Sequence, residues 1–393
     1  MSTRAVKKWR IWLANAALSV FAVAFIAGAT LGMEYGANHS WLFWVEHWTS
    51  DWRSSLLSKW PDGQHSKIAI VKVDEDTMQH YPYRTPIDRG LIARLIQVLD
   101  KAGAQTIAID FLFLKTTEPD KDEALVKTIK SAKARVVLAA GDSRANLTEA
   151  QASYQRDFIA RSGAMPGYAN LLTGADQIVR FVAPPADGAY PKSFAVAAAK
   201  PDVARADGPR RIAWLLQPKD GNERFLALPA HLLAAPADVP PPPTASVLSA
   251  LLKDRIVFIG ADLIGIDRHL TPLASWTSDG EVAGILLHAH IAAQLIDGRA
   301  IERVHPHAIR VLYALLTMFG LWIGLRYGFR GYSIYFGTAT LMIAGADILI
   351  FIFIKQFLPF TACILIILLG LCGGVVFRQL IRQIKVSTSS HKP

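Results

Sequence analysis

The chain has 393 residues, a net charge of +10 and 52 % hydrophobic residues, room for one large domain together with membrane segments. The charge is not spread evenly: Gly36–His305 balances 30 basic against 30 acidic residues, and the flanks hold the remaining 12 basic and two acidic ones, Glu34 and Asp347. A basic groove for nucleic acid is therefore excluded, and the cationic flanks read as membrane-anchoring segments.

In chain order, residues 1–10 form a basic N-terminus carrying Arg4, Lys7, Lys8 and Arg10. Ile11–Met33 follows without a charge. As a helix it would run ~34 Å, enough for a bilayer core of ~30 Å and longer than the apolar region of a cleaved leader. Trp41, Trp44, Trp48 and Trp52 recur every three to four residues, the pattern of an interfacial aromatic anchor on a helix.

Strands and helices then alternate. Ile68–Asp74 and Thr106–Phe113 are short apolar runs suited to strands, as is Arg135–Gly141. Between the first two, Leu91, Ile92, Leu95, Ile96 and Leu99 trace one helical face, and Gly103 ends it. Asp120–Ser131 is a polar helix. Such alternation predicts parallel pairing with right-handed crossovers. Ile178–Pro184 and Arg211–Gln217 are expected as strands around a small-residue helix at Ser193–Ala199. Ala234–Ala245, with Pro240–Pro243, reads as an exposed proline-rich loop. Arg255–Gly260 resumes the core as a strand and Gly284–Leu295 is a helix.

Three more apolar runs, 308–325, 332–354 and 357–377, precede a basic tail at 378–393. Arg326 and Arg330 lie between the first two, and Arg378, Arg382 and Lys385 follow the last. With these clusters inside, the chain crosses the membrane four times, once before and three times after the 36–305 domain. The expectation is a multi-pass protein of a bacterial inner membrane with that domain on the periplasmic or extracellular side. Both cysteines, Cys363 and Cys372, fall in the last run, so the domain holds itself by its core. Gly28–Gly32 and Gly320–Gly324–Gly328 match GxxxG, which fits packing within the bundle and homo-oligomerisation equally.

Several core strands run into acid: Asp74, Asp110 and the loop with Asp262 and Asp267. In an open parallel sheet, ligands bind beyond the carboxyl ends of the strands. Asp74, Arg84, Asp110, Asp267, His269 and His288 are therefore the candidate ligand-binding residues, and Asp74, Asp110, Asp267 and His269 the candidate ligands for a divalent ion. A hydrogen-bonded structural network is the competing reading, and Arg84 can equally brace Asp74 or Asp76. His288 shares the inward face of its helix with Ile285 and Ala292, whereas His290 is expected to face solvent. No HExxH, GxSxG or Walker motif is present, so no enzyme and no cofactor is expected. Asp347, the one acid inside the apolar runs after the domain, is a candidate intramembrane contact, with Thr317 or Thr361 as alternative partners within the chain.

The segments IAIVKVDEDT, YPYRTPIDRGLIARLIQVLDKAGAQTIAIDFLF, VFIGADLIGIDRHLTP and GILLHAHIAAQLIDG together resemble the second type of CHASE domain, a sensory extracellular domain associated with cyclases and histidine kinases. The resemblance covers Trp41 to Arg303, and one anchor before with three helices after also looks like that family. It implies an α/β extracytoplasmic sensor with a mostly parallel or mixed sheet flanked by helices. The 16 residues after Phe377 leave no room for an output domain. The expected protein therefore binds a small ligand or an envelope partner outside and acts through other proteins, with membrane lipid around its helices. The alternatives are an assembly subunit of an envelope complex that reuses the fold and, third, a metal-dependent enzyme in the acidic cleft.

Overall fold

The computed structural model describes residues 3–39, 41–186, 190–199, 210–234, 244–273 and 281–389. They form two compact units: Ser54–Ile301, and a helical unit made of Met1–Arg53 with Glu302–Pro393.

The first unit is built on six parallel strands. Met165–Tyr168, Arg135–Ala140, Thr106–Asp110, Ile256–Ala261, Ile68–Val73 and Leu226–Pro229 lie side by side in that order. The three strands expected as neighbours are the centre, with Ile256–Ala261 between the other two. Their unbroken Val/Ile/Ala runs suit burial on both faces. One face, with Val71, Ile107, Ile109, Leu138 and Ile259, packs against Leu91, Leu95 and Leu99 of the helix Arg89–Lys101 and Leu125 of the helix Pro119–Ser131. The other, with Ile70, Ala108, Val137 and Phe258, packs against the helices Phe194–Ala199 and Gly284–Ile296. Helix Arg89–Lys101 starts on Asp88, whose Oδ1 accepts from the Leu91 N–H at 2.7 Å. It is terminated as expected, with Gly103 in the left-handed region at φ +83°.

The sheet's two edges differ from expectation. Met165–Tyr168 and Leu226–Pro229 are strands despite Pro166, Gly167 and Pro229, because an edge strand needs partners on one side only. Gly167 is required there: a Cβ would stand 2.6 Å from the Phe194 Cα. The helix Glu149–Ser162, with a capping box between Thr148 and Gln151, brings Gln155 to Gly141, whose N–H donates to Gln155 Oε1 at 2.9 Å. Val179–Val182 is a strand, but in a small antiparallel sheet with Leu172–Thr173 and Arg210–Arg211. Of the expected strand Arg211–Gln217 only Arg211 lies in that ladder, and Leu215 makes an isolated parallel bridge with Lys59. Beyond Arg211, side chains of the helix Gly284–Ile296 replace a neighbouring strand: Gln294 Oε1 accepts from the Ala213 N–H at 2.6 Å and His290 Nδ1 from the Leu215 N–H at 3.4 Å. His290 is thus buried, against the solvent-facing expectation, with its ring edge-on to Trp214 and Phe225. Both faces of its helix are covered, so helical phase alone does not separate inside from outside. Most of the expected proline-rich loop lies outside the described residues; Ala234 ends one helix and Ala245 begins the next.

The helical unit contains Thr3–His39, Pro306–Arg326, Phe329–Ile354 and Phe360–Ser389. Each has a stretch long and apolar enough to cross a membrane: Ala16–Ala37, Pro306–Arg326, Phe329–Ile354 and Phe360–Gln383. The first begins and ends some residues later than the expected 11–33 run. Gly320 and Gly324 meet Gly370 and Gly374 of the last helix so closely that a Cβ on any of the four would strike backbone. That GxxxG pattern is therefore used within the bundle, while a Cβ added at Gly28 or Gly32 would meet nothing within 4 Å.

Asp347 is 1 % exposed. Arg53 Nη1 donates to its Oδ2 at 2.6 Å and the Leu358 N–H donates to its Oδ1 at 2.8 Å. Both oxygens of Asp347 are hydrogen-bonded inside the chain. Its partner is neither Thr317 nor Thr361 but Arg53, on the helix Trp41–Leu57. Arg310 holds Glu34 through two contacts of 2.8 and 3.0 Å.

Candidate ligand cavity at the carboxyl edge of the sheet

A cavity of 1060 Å³ opens beyond the carboxyl ends of the strands that finish at Asp110, Ala140, Tyr168 and Ala261. Its wall is mainly apolar, with Ile87, Phe111, Leu114, Leu171, Leu263 and Ile266. Asp110, Asp267, His269, His288, Arg84 and Arg89 supply the ionisable groups, with Lys115 at its edge.

Asp110 ends its strand in register with Gly260. The missing side chain at Gly260 lets Ile285 press on the sheet, where a Cβ would stand 2.8 Å from it. That contact seats the helix bearing His288. Asp267 adopts a left-handed backbone at φ +51°, a conformation that Asp tolerates better than most residues. Its carboxylate lies over Gly284, where any Cβ would collide with it. Asp267 C=O also accepts from the Gly284 N–H at 2.9 Å, so the loop is pinned to the start of the helix.

Burial, and then the neighbouring Asp267 charge, push the Asp110 carboxyl well above the usual carboxylate range, so it is the protonated member of the pair. Burial also acts to raise Asp267. There the hydrogen bond from His269, at 2.8 Å, and the nearby charges of His269, His288 and Arg268 outweigh it and hold Asp267 low. His288 is 4 % exposed, and desolvation brings its pKa down to about 4 against the pull of Asp267. Its Nε2 lies 3.9 Å from Asp110 Oδ1, beyond hydrogen-bonding reach. Its Nδ1 is buried with no hydrogen-bond partner among the described residues. The floor therefore carries a neutral carboxyl and a neutral imidazole with an unused polar atom. Asp110 and His288 can there donate and accept hydrogen bonds beside the Asp267 carboxylate, which is held low.

The sequence brought four of the six candidates to this floor. Arg84 also lines the cavity, at its exposed rim, and is tied to Glu75 rather than to Asp74 or Asp76. Asp74 stands apart. Its Oδ1 caps the short helix Glu75–Met78, accepting from the Thr77 N–H at 2.9 Å and Thr77 Oγ1 at 2.6 Å, with His231 Nδ1 at 3.7 Å. The four-residue metal set is thus not assembled, and no group of three or more His, Cys, Asp or Glu among the described residues is placed to hold a metal ion.

Arg89, which is not among the candidate ligand-binding residues, also lines the cavity. It is buried in the cavity wall, its Nε donating to Asp122 Oδ1 at 3.3 Å and its guanidinium 4.3 Å from the Phe113 ring centre. Its Nη1 has no partner among the described residues. The signal for it was Asp88: a helix that begins there puts Arg89 in its first turn, beside the loop after Phe113. Tyr154 and Asn170 reach the wall from segments with no clear sequence pattern.

A largely apolar pocket lies at the carboxyl edge of a parallel sheet in an α/β domain, on a chain with four helices long and apolar enough to span a membrane. The family comparison agrees: the model of the CHASE2 domain matches residues 20–328, and the chain belongs to that family of sensory extracellular domains. Comparison with curated proteins gave no match, and comparison with solved structures gave none.

Proposed function

We propose that the protein is a membrane-anchored receptor and that a small molecule seated in the 1060 Å³ cavity is its signal. The observation that carries this reading is the buried, unsatisfied Nδ1 of His288 in the wall of an apolar pocket of ligand size. A group that a fold keeps buried and unpaired costs stability unless something else completes it. The ligand implied has an apolar body and a neutral hydrogen-bonding group directed at Asp110 and His288. The clustering of Arg326, Arg330, Arg378 and Arg382 supports a cytoplasmic location for that end of the helices, with the cavity domain on the periplasmic or extracellular side of a bacterial inner membrane. Partner proteins in the envelope would carry the state onward.

Native mass spectrometry of the full chain, released from a mild detergent, tests this. A small-molecule adduct should accompany the wild type and be lost from Ala169→Phe, which fills the cavity, and from His288→Gln. Both variants should melt close to the apo wild type. A wild type without adduct that instead retains a protein at fixed stoichiometry would favour the assembly-subunit reading.

A further inference from the structure

The helix Trp41–Leu57 is inverted in polarity along its first three turns. Its inward face is mostly polar. Glu46 accepts from the N–H groups of Phe360, Thr361 and Ala362, the unsatisfied donors that open the helix Phe360–Ser389. Thr49 Oγ1 lies 3.4 Å from Thr361 Oγ1, and Arg53 reaches Asp347, the Leu358 carbonyl and Glu46. Leu42 joins the cluster of Tyr313, Ala362 and Ile366. The outward face is Trp41, Trp44, Trp48 and Trp52, exposed by 64, 43, 62 and 41 %. A helix that turns its charges inward and four indoles outward is built for surroundings other than bulk water.

Its position says which surroundings. The partners of Glu46, Thr49 and Arg53 named above lie where Phe329–Ile354 ends and Phe360–Ser389 begins, the same end at which Glu34 meets Arg310. The opposite end carries a second aromatic group, Trp322, Tyr327 and Tyr335, with ring centres 4.4 to 5.9 Å apart. From Tyr335 to Lys355 the helix rises ~30 Å, one bilayer core. Two aromatic belts separated by that distance are the mark of the two membrane interfaces.

We infer that the Trp41–Trp52 face lies in the outer headgroup–acyl boundary of the membrane, holding the helix in the membrane plane. This rests on the reading that the four apolar helices span the bilayer. The face has no outward lysine or arginine, since Arg53 is turned in, so its attachment is to neutral lipid and does not depend on anionic headgroups.

The test uses the full chain with Cys363 and Cys372 replaced, reconstituted in phosphatidylcholine vesicles. Nitroxides are placed singly by Trp48→Cys and Trp52→Cys, with Met342→Cys as a mid-helix control and Lys219→Cys as an aqueous one. Labels at 48 and 52 should favour oxygen over a polar nickel relaxant, at a depth between the two controls, unchanged when anionic lipid is added. Water-like values at 48 and 52 with a lipid-like 342 overturn this inference alone. A water-like 342 overturns the spanning reading. Labels at 48 and 52 that neither relaxant reaches show a second copy covering the face, which also overturns it. Should the labelled variants fold poorly, Trp48→Phe with unlabelled protein serves: shallow-brominated lipid should quench a smaller share of its fluorescence than of the wild type's, and an equal share counts against the inference.

Discussion

His288 and Asp110 make the stability of the protein depend on pH in opposite senses. His288 binds a proton more weakly folded, with a pKa of about 4, than unfolded, where histidine titrates near ~6.5. Unfolding therefore takes up a proton between those values, and stability is lost as pH falls through that window, by about 3 kcal/mol from this residue. Buried His290, also held low by desolvation, acts in the same direction. Asp110 is raised, so its contribution is present in acid and is lost as pH rises through its folded value. Melting the full chain from about pH 7 to about pH 4.5 should show a falling midpoint that His288→Gln makes shallower. Asp110→Asn should remove the loss on the alkaline side; a profile identical to wild type in both variants would disprove the buried neutral pair. At this scale Asp110, Asp267, His269 and His288 were legible because each follows or faces a strand end whose apolar run marks it. Asp74 has the same signature and yet serves as a helix cap, a choice made by Thr77 three residues on.

At the scale of elements, the ion pair between Arg53 and Asp347 joins two helices whose sequences carry no hint of each other. Arg53→Met should leave Asp347 buried with only the Leu358 N–H and cost about 3–5 kcal/mol in detergent-solubilised protein. Asp347→Asn, which keeps the shape and one acceptor, should cost about 1–3 kcal/mol. The double variant Arg53→Met/Asp347→Leu should recover most of the loss, since apolar groups can replace a buried pair without penalty. Thermal unfolding of the four proteins measures the coupling, and strictly additive costs would show that the pair does not act as a unit. Elements with strong periodicity, such as Arg89–Lys101 or Ile256–Ala261, were readable within a residue or two. The edge strands were not, because an edge strand is defined by its neighbour and tolerates proline and glycine.

For the whole molecule, the expected arrangement puts both termini on one side of the membrane and the cavity domain on the other. Single cysteines at Ser2, Ser143 and Ser389, in a background without Cys363 and Cys372, report it through an impermeant thiol reagent on cells with a permeable outer barrier. Only Ser143→Cys should be labelled; reaction at Ser389→Cys would require an even number of crossings after the domain, or none.

Composition and periodicity alone determined that this chain carries four apolar helices around a neutral α/β domain with a parallel centre. Those properties are local: a run of apolar residues or a stripe at helical spacing needs no distant partner to be recognised. Only the tertiary structure decided which strand-end acids share a cavity, that His290 is buried, that Gly320 and Gly324 meet Gly370 and Gly374, and that Arg53 neutralises Asp347. Each of these depends on pairing segments far apart along the chain. A contact across 294 residues leaves no periodic trace in either segment.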